Sequence, residues 1–317
     1  MELKTLRYFI TVAEELNITH AAQKLNMSQP PLTLQIHRLE EELGVTLFIR
    51  GKRRLTLTPQ GSLFLRRAKE LLDLEQKTLA EMQSADSDLK GTLYLGLVEG
   101  RPPYIASAWM KQLRADHPDI DYALWNGSSD DVIYRLEKGL LDAAIIASPF
   151  DNEKLDSVKV WEEPWVAVIP GDHPLAASPS HHIHLKQLAP CPLIVPARRS
   201  RVEGIRHWFD EIGETPRIFA RTSNYIDALA MSEQGLGISI FPQTNDMPND
   251  LVVRKVITDP PRKVAYHLVW LRARTGSALT QMMIDYVKSG PDITLSHAGS
   301  ALVSSRIPDR LDEIMEL

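Results

Sequence analysis

Ile18-Thr-His-Ala-Ala-Gln-Lys-Leu-Asn-Met-Ser-Gln-Pro-Pro-Leu-Thr-Leu-Gln-Ile-His-Arg-Leu-Glu-Glu-Glu-Leu43 is the stretch on which the reading of this chain turns. Thr19 to Leu25 has the spacing of a short helix, with Ala21, Ala22 and Leu25 turned inward and small enough for another helix to pack closely. Asn26 and Met27 make a tight turn. Ser28 then offers an oxygen to free backbone N–H groups, and Pro30 and Pro31 fall in a first helical turn, where a missing N–H breaks no hydrogen bond. A further helix therefore runs from Ser28 to Leu43, burying Leu32, Ile36, Leu39 and Leu43 and leaving Gln29, Thr33, Gln35 and Arg38 outside. Two short helices joined this way present the second to a DNA major groove. Its Gln side chains donate and accept together, which suits adenine, and Thr33 suits a thymine methyl or a phosphate.

The flanking residues fit the same plan. Upstream, Leu3, Leu6, Phe9, Ile10 and Ala13 recur at helical spacing, so residues 2–15 supply another wall of a small core. Downstream, Leu47 to Arg50 and Arg54 to Leu57 read as two strands joined by Gly51-Lys52-Arg53. This hairpin is a wing whose cations Arg50, Lys52, Arg53 and Arg54 neutralise phosphates without specifying sequence. Residues 1–60 carry a formal charge of +2 and the remainder −7, so the positive surface is local within a chain of net charge −5.

Ala21-Ala-Gln-Lys-Leu25, Ser28-Gln-Pro30, Leu39-Glu-Glu-Glu-Leu-Gly44, Leu47-Phe48 and Leu57-Thr-Pro-Gln-Gly61 together resemble the signature of LysR-type transcription regulators. The resemblance implies that Gln29, Pro30 and Thr33 approach bases, while Arg50, Arg53 and Arg54 hold phosphates. The chain departs from the family where an Arg is common in mid recognition helix, having Leu34 and His37 instead.

Thr58, an N-cap residue type followed by Pro59, opens a long helix to about Ser87 with an apolar strip containing Phe64, Leu65, Ala68, Leu71, Leu72, Leu79 and Met82. Alone, that strip stays wet; the same helix of a second chain covers it with two-fold symmetry, and an inverted-repeat operator follows. Phe64, Ala68, Leu71, Leu72 and Leu79 are the expected dimerisation residues. Packing on the chain's own C-terminal domain is the other reading of the strip. The resemblance implies dimerisation through this helix and assembly to a homotetramer on double-stranded DNA carrying an interrupted inverted-repeat operator, with RNA polymerase a partner in the case of an activator.

From Gly91, strand-like and helix-like segments alternate, which argues for α/β structure with parallel strands. His117-Pro-Asp119, Gly139-Leu-Leu-Asp142 and Gly235 to Pro242 resemble corresponding segments of LysR-type sensing domains. The expected architecture is α/β overall: a winged helix-turn-helix over residues 1–58, a linker and dimerisation helix over 59–90, and an effector-binding domain over 91–290. The resemblance implies that the last is a two-lobed, periplasmic-binding-protein-like domain, lobe I being 91–163 with 267–290 and lobe II 164–266. Residues 291–317 form an extension of unassigned role, read as a helix from Pro308 to Met315 or as a tail.

Between the lobes a small-molecule effector is expected. Ser128 and Ser129, Ser200 and Arg201, and Thr222 to Asn224 stand at three helix starts, whose free N–H groups favour anions. With Gly100 and Arg101 in the first strand-to-helix loop, and Arg198 and Arg199 nearby, they make a small carboxylate or similar anion the expected ligand; each is equally a capping residue. Asp130 and Asp131 oppose an anion, and Glu99-Gly-Arg-Pro-Pro103 replaces the small polar residue that many relatives have after this strand.

Other chemistry finds little support. His181, His182 and His184 lie in a Pro/Ser-rich loop without a second ligand cluster, so no metal or other cofactor is expected. Cys191, the single cysteine, has no disulfide partner and no evident activating neighbour. An enzyme or solute carrier acting through the C-terminal lobes is the competing function, but no paired carboxylates, nucleophile elbow or phosphate loop stands out. The opening residues do not resemble an export signal, and no apolar run reaches the ~18 residues of a membrane span, so a cytoplasmic protein without membrane partners is expected.

Overall fold

The computed structural model of the chain describes residues 1–51, 54–84, 89–150, 153–244, 250–273, 277–291, 293–297 and 300–305. It separates into two compact units, Met1–Asp86 and Ser87–Leu317.

The first unit comprises α1 (Leu3–Glu15), α2 (Ile18–Lys24), α3 (Gln29–Leu43), the antiparallel strands β1 (Phe48–Arg50) and β2 (Leu55–Leu57), and α4 (Pro59–Ser84). Leu6, Phe9, Val12, Ala21, Ala22, Leu32, Ile36 and Leu39 close its core. Asn17 caps α2, its side chain accepting from the Thr19 and His20 amides. The Ser28 side chain makes no capping hydrogen bond on α3, contrary to the expectation from sequence; prolines in the first turn already remove donors there. Gly44 ends α3 at φ 66°, a left-handed conformation that favours glycine.

The apolar strip of α4 divides in two. Ala68 is fully buried, and Phe64, Leu65 and Leu72 pack against the same core, Phe64 meeting Phe9 edge-on at 4.9 Å. Of the residues expected at a dimer interface, the structure thus buries Ala68 in the helix-turn-helix core and packs the partly buried Phe64 and Leu72 against it, where α4 meets α1. Leu71, Leu74, Leu79 and Met82 stay exposed.

In the second unit, β3 (Gly91–Leu97), α5 (Pro102–Asp116), β4 (Ile120–Asn126), α6 (Ser129–Glu137) and β5 (Ala143–Ala147) form one βαβαβ series, with β4 and β5 parallel to β3 on either side. The long strand β6 (Leu155–Pro170) follows. After β7 (His182–His184) and the short α7 (Leu185–Leu188), a second series is built from β8 (Leu193–Pro196), α8 (Arg199–Asp210), β9 (Ile218–Thr222), α9 (Tyr225–Glu233) and β10 (Ile238–Pro242). Here β8 lies parallel to both β9 and β10. Strands β11 (Val252–Thr258) and β12 (Lys263–Leu271) and helix α10 (Ala278–Lys288) follow, then the antiparallel hairpin β13 (Ile293–His297) and β14 (Ser300–Ser305). The helix expected from Pro308 to Met315 lies outside the described residues.

Strand β6 belongs to both series. Its first half, to Pro164, pairs with β12, which also pairs with β5. Its second half, Trp165 to Pro170, pairs with β10 and β11. Side chains of the two series therefore converge where β6 passes from one to the other.

The start of α4 explains the Thr58-Pro-Gln-Gly61 motif. Thr58 Oγ1 donates to the Thr46 carbonyl at 2.8 Å and accepts from the Gly61 amide at 2.8 Å. A Cβ on Gly61 would lie 2.1 Å from the Leu47 carbonyl oxygen, well inside contact distance. Gly61→Ala is expected to destabilise this junction by about 1–3 kcal/mol. Faster hydrogen–deuterium exchange across residues 47–62, relative to the wild-type chain, is the readout.

Candidate functional site

Two sites emerge, one in each unit. In the first, α3 turns Leu32, Ile36 and Leu39 into the core and exposes Gln29, Pro30, Leu34, His37 and Arg38. These fall within two adjacent i, i+4 rows on the side away from the core. Thr33 and Gln35 are half-buried, and Gln35 lies toward the core flank rather than on the outermost face. Thr19 Oγ1 donates to Gln29 Oε1 at 3.3 Å, which leaves the amide N–H groups of Gln29 for an external acceptor. Thr33 Oγ1 donates to the Gln29 carbonyl at 3.0 Å, which commits its hydroxyl hydrogen within the helix.

The wing is fixed to this helix by a residue that the sequence reading passed over. Glu40 Oε1 accepts from the amides of Leu47 and Phe48, at 2.7 and 3.1 Å, and so ties α3 to β1. The strand β2 is tied in turn by the Leu55 amide, which donates to the Leu16 carbonyl at 2.9 Å. Glu40 lies within an acidic run of three, and only its half-burial against the chain reversal distinguishes it. Of the expected wing cations, Arg54 is exposed and its carbonyl accepts from the Gly51 amide at 3.0 Å. Arg50 lies on β1. Lys52 and Arg53 lie outside the described residues.

In the second unit, a cavity of about 650 Å³ opens where the two strand-helix series meet. Gly100, Ser128, Ser129, Arg201 and Asn224 line it, together with Glu99, Asp130, Asp131, Arg198 and Arg199. Trp165, Tyr225, Phe241 and Tyr266 give it an aromatic wall. Several expected ligand groups are occupied by the fold. Ser128 accepts from the Asp131 amide and Asn224 from the Asp227 amide, each capping its helix. Ser200 does not line the cavity; its hydroxyl is buried with no hydrogen-bond partner among the described residues.

Arg101 is also absent from the cavity wall, contrary to expectation. It is buried behind Gly100, donating from Nε to Glu163 Oε2 at 2.7 Å, while Tyr266 donates from its hydroxyl to Glu163 Oε1 at 2.9 Å. The guanidinium at the start of α5 is therefore committed to an internal carboxylate on β6. Burial pushes the Glu163 carboxyl upward against the opposing pull of Arg101, and raises the Tyr266 hydroxyl still further from its ordinary range.

Two contacts cross the cavity. Arg198, at the N-terminus of α8, holds Asp130 at the start of α6 through Nη2 and Nε, at 2.6 and 3.0 Å. Glu99, at the end of β3, accepts from the Tyr225 amide at the first turn of α9, at 3.0 Å. Burial raises the Glu99 carboxyl above the usual range. Arg201 behaves differently from its neighbours: desolvation pulls its guanidinium down to about 10, and it lies 5.5 Å over the Trp165 ring with no carboxylate partner among the described residues.

The remaining singled-out residues take structural places. His182 and His184 bound β7, His184 pairs with Asp259, and the described residues hold no group of three His, Cys, Asp or Glu side chains arranged for a metal. Cys191 is buried, contacts the Gln187 carbonyl at 3.6 Å, and has its thiol pushed up by burial. No helix among the described residues is long and apolar enough to cross a membrane.

Residues 3–62 match the family described as bacterial regulatory helix-turn-helix protein, lysR family, and residues 86–291 match the LysR substrate binding domain. The chain belongs to the LysR family of transcriptional regulators. Among its relatives, the regulator BsdA of Bacillus subtilis is 31% identical over 251 residues, covering 77% of this chain and 84% of that protein. The Hca operon transcriptional activator HcaR of Escherichia coli is 29% identical over 289 residues, covering 88% and 95%. The crystal structure of CbnR, a LysR family transcriptional regulator, superimposes with a TM-score of 0.76 at 23% identity, covering 91% of this chain and 99% of that one. This LysR-family chain is thus a DNA-binding regulator with an effector-binding domain, and not a member of an enzyme family.

The internal ion pair gives a direct test of the cavity's support. In this regulator Arg101→Met leaves Glu163 buried without its cation, a change expected to cost about 3–5 kcal/mol. All six tryptophans lie between Trp109 and Trp270, so urea unfolding followed by tryptophan fluorescence reports the second unit without contribution from the first.

Proposed function

We propose that the chain reads a specific operator through α3, grips the duplex backbone through the wing, and is governed by a small anionic effector held in the cavity against Arg201. In this reading residues 1–58 bind DNA, 59–90 link and pair two protomers, and 91–290 sense the effector. The observation that carries the effector assignment is Arg201: a desolvated guanidinium in a cavity wall, with no carboxylate of its own. Leaving such a charge unpaired is costly, and a bound carboxylate offsets that cost. The exposed remainder of the α4 strip, Leu71, Leu74, Leu79 and Met82, supports pairing with a second copy. A homodimer reading an interrupted inverted repeat, assembling further to a homotetramer, is the state we assign; RNA polymerase is the further partner if the regulator activates.

The two DNA roles separate experimentally. Gln29→Ala is expected to relax base preference by about 1–3 kcal/mol at one operator position while leaving binding to random DNA nearly unchanged. Arg54→Ala is expected to weaken binding to all sequences and to lower the slope of log affinity against log salt by about 1. Electrophoretic titrations on the protein's own upstream region and on scrambled DNA, at several salt concentrations, distinguish them; equal losses on both DNAs for both variants contradict the assignment.

For the effector, the full chain is to be screened by thermal shift against small carboxylic acids, including acetate, benzoate and 3-phenylpropionate. An acid that raises Tm in the wild-type chain is expected to lose its effect in Arg201→Gln. An undiminished shift in that variant removes Arg201 from the site.

A further inference from the structure

Helix α3 carries a large apolar side chain at the middle of its outward line. Leu32, Ile36 and Leu39 fill the core, so the i, i+4 row that points away from it is Pro30, Leu34 and Arg38, with His37 beside it. All four are exposed, Leu34 to 50%. The far end of α3 is the acidic run Glu40-Glu41-Glu42, which phosphates repel. The part from Gln29 to Arg38 is therefore the part that can approach a duplex, and the dipole at the helix N-terminus favours phosphates there. Leu34 stands at its centre.

From this placement we infer that Leu34 reads a thymine: its side chain takes the C5-methyl group in the major groove, and a 5-methylcytosine serves in the thymine's place. The inference rests on the reading of α3 as the helix that enters the groove. A single exposed leucine needs no explanation while it stays in water. On the groove-facing line it is covered each time DNA binds, and it has no donor or acceptor to offer. Laid over the edge of adenine, guanine or cytosine it removes water from polar groups and returns no hydrogen bond, and each group left unpaired is costly. Thymine alone among the four bases has an apolar group on its major-groove edge. The methyl of 5-methylcytosine is attached at the same ring position.

Thr33 is the competing owner of a methyl contact. It is half-buried, and its hydroxyl donates to the Gln29 carbonyl at 3.0 Å. It also lies about 100° round the helix from Leu34, toward the core flank. Leu34 thus presents the larger apolar surface, and presents it on the outward line.

Modified bases test the inference on the full chain. The wild-type protein, Leu34→Ala and Thr33→Ser are each to be used to select duplexes from a random library. Leu34→Ala is expected to lose a thymine preference that the wild type shows at one position, and Thr33→Ser to keep it. Deoxyuridine for thymidine at that position is expected to weaken wild-type binding about fourfold, the worth of one buried methyl group. In the duplex with cytosine there, 5-methylcytosine is expected to recover about the same factor. Leu34→Ala is expected to bind the thymidine and deoxyuridine duplexes to within about 1.5-fold. The inference is overturned, with α3 still the reading helix, if Leu34→Ala keeps the wild-type methyl dependence or if Thr33→Ser alone abolishes it. If the wild type selects no sequence, or if Gln29→Ala and Leu34→Ala both select what the wild type selects, the reading of α3 and the inference fall together. A deoxyuridine scan of every thymidine in the wild-type operator needs no variant, and a scan in which no position responds also overturns the inference.

Discussion

The second unit is organised around one buried carboxylate. Glu163 stands on β6, the strand that is shared by both series of strands and helices, just before the point where its pairing passes from β12 to β10 and β11. It gathers Arg101 from the start of α5 and Tyr266 from β12. A carboxylate in such a place is tolerable because donors reach it, and Arg101, Tyr266 and Glu163 then fix the strand junction, the β3–α5 loop and the cavity floor relative to one another. Glu99 and Gly100 are held at the cavity edge because Arg101, next in sequence, is anchored beneath it.

The first unit solves a similar problem with a different carboxylate. A recognition helix is useful only if the hairpin beside it keeps a constant distance, since base contacts and phosphate contacts must be made together. Glu40 provides that constraint by accepting from two amides of the wing. Thr58 and Gly61 provide the matching constraint on the other side, where the wing runs into α4 and no side chain fits beside the Leu47 carbonyl. Glu40 and Gly61 both determine where α3, the wing and the start of α4 stand relative to one another.

The sequence carried the elements of this fold well and the partners of its polar groups poorly. Apolar spacing located α1, α3, β3 and β5, because burial of one face imposes a period that survives in the sequence. The helix starts at Ser128 and Asn224 were legible for the same local reason, since a cap interacts within its own first turn. Arg101 has the local setting of a ligand group, in a loop after a strand, but its partner lies 62 positions away on β6 and nothing local announces it. The α4 strip has the period of one surface, whereas its first half packs in part on the helix-turn-helix core; a period records that a face is covered, and not by what. Glu40 was hidden by its neighbours Glu41 and Glu42, which share its chemistry without its contacts.

The same distinction bears on how a ligand could act through this cavity. Arg198–Asp130 and Glu99–Tyr225 already span it without any ligand, so the two sides are not held apart waiting for one. A small molecule changes the balance only by interacting differently with the arrangements the two sides can adopt. Arg198 has its carboxylate and gains little from another, whereas Arg201 has none among the described residues. Arg201 stands in the first turn of α8, and Glu99 in the bend that follows β3, in different series. A ligand that touches both sides of the cavity bears on the relation between the two halves of the unit.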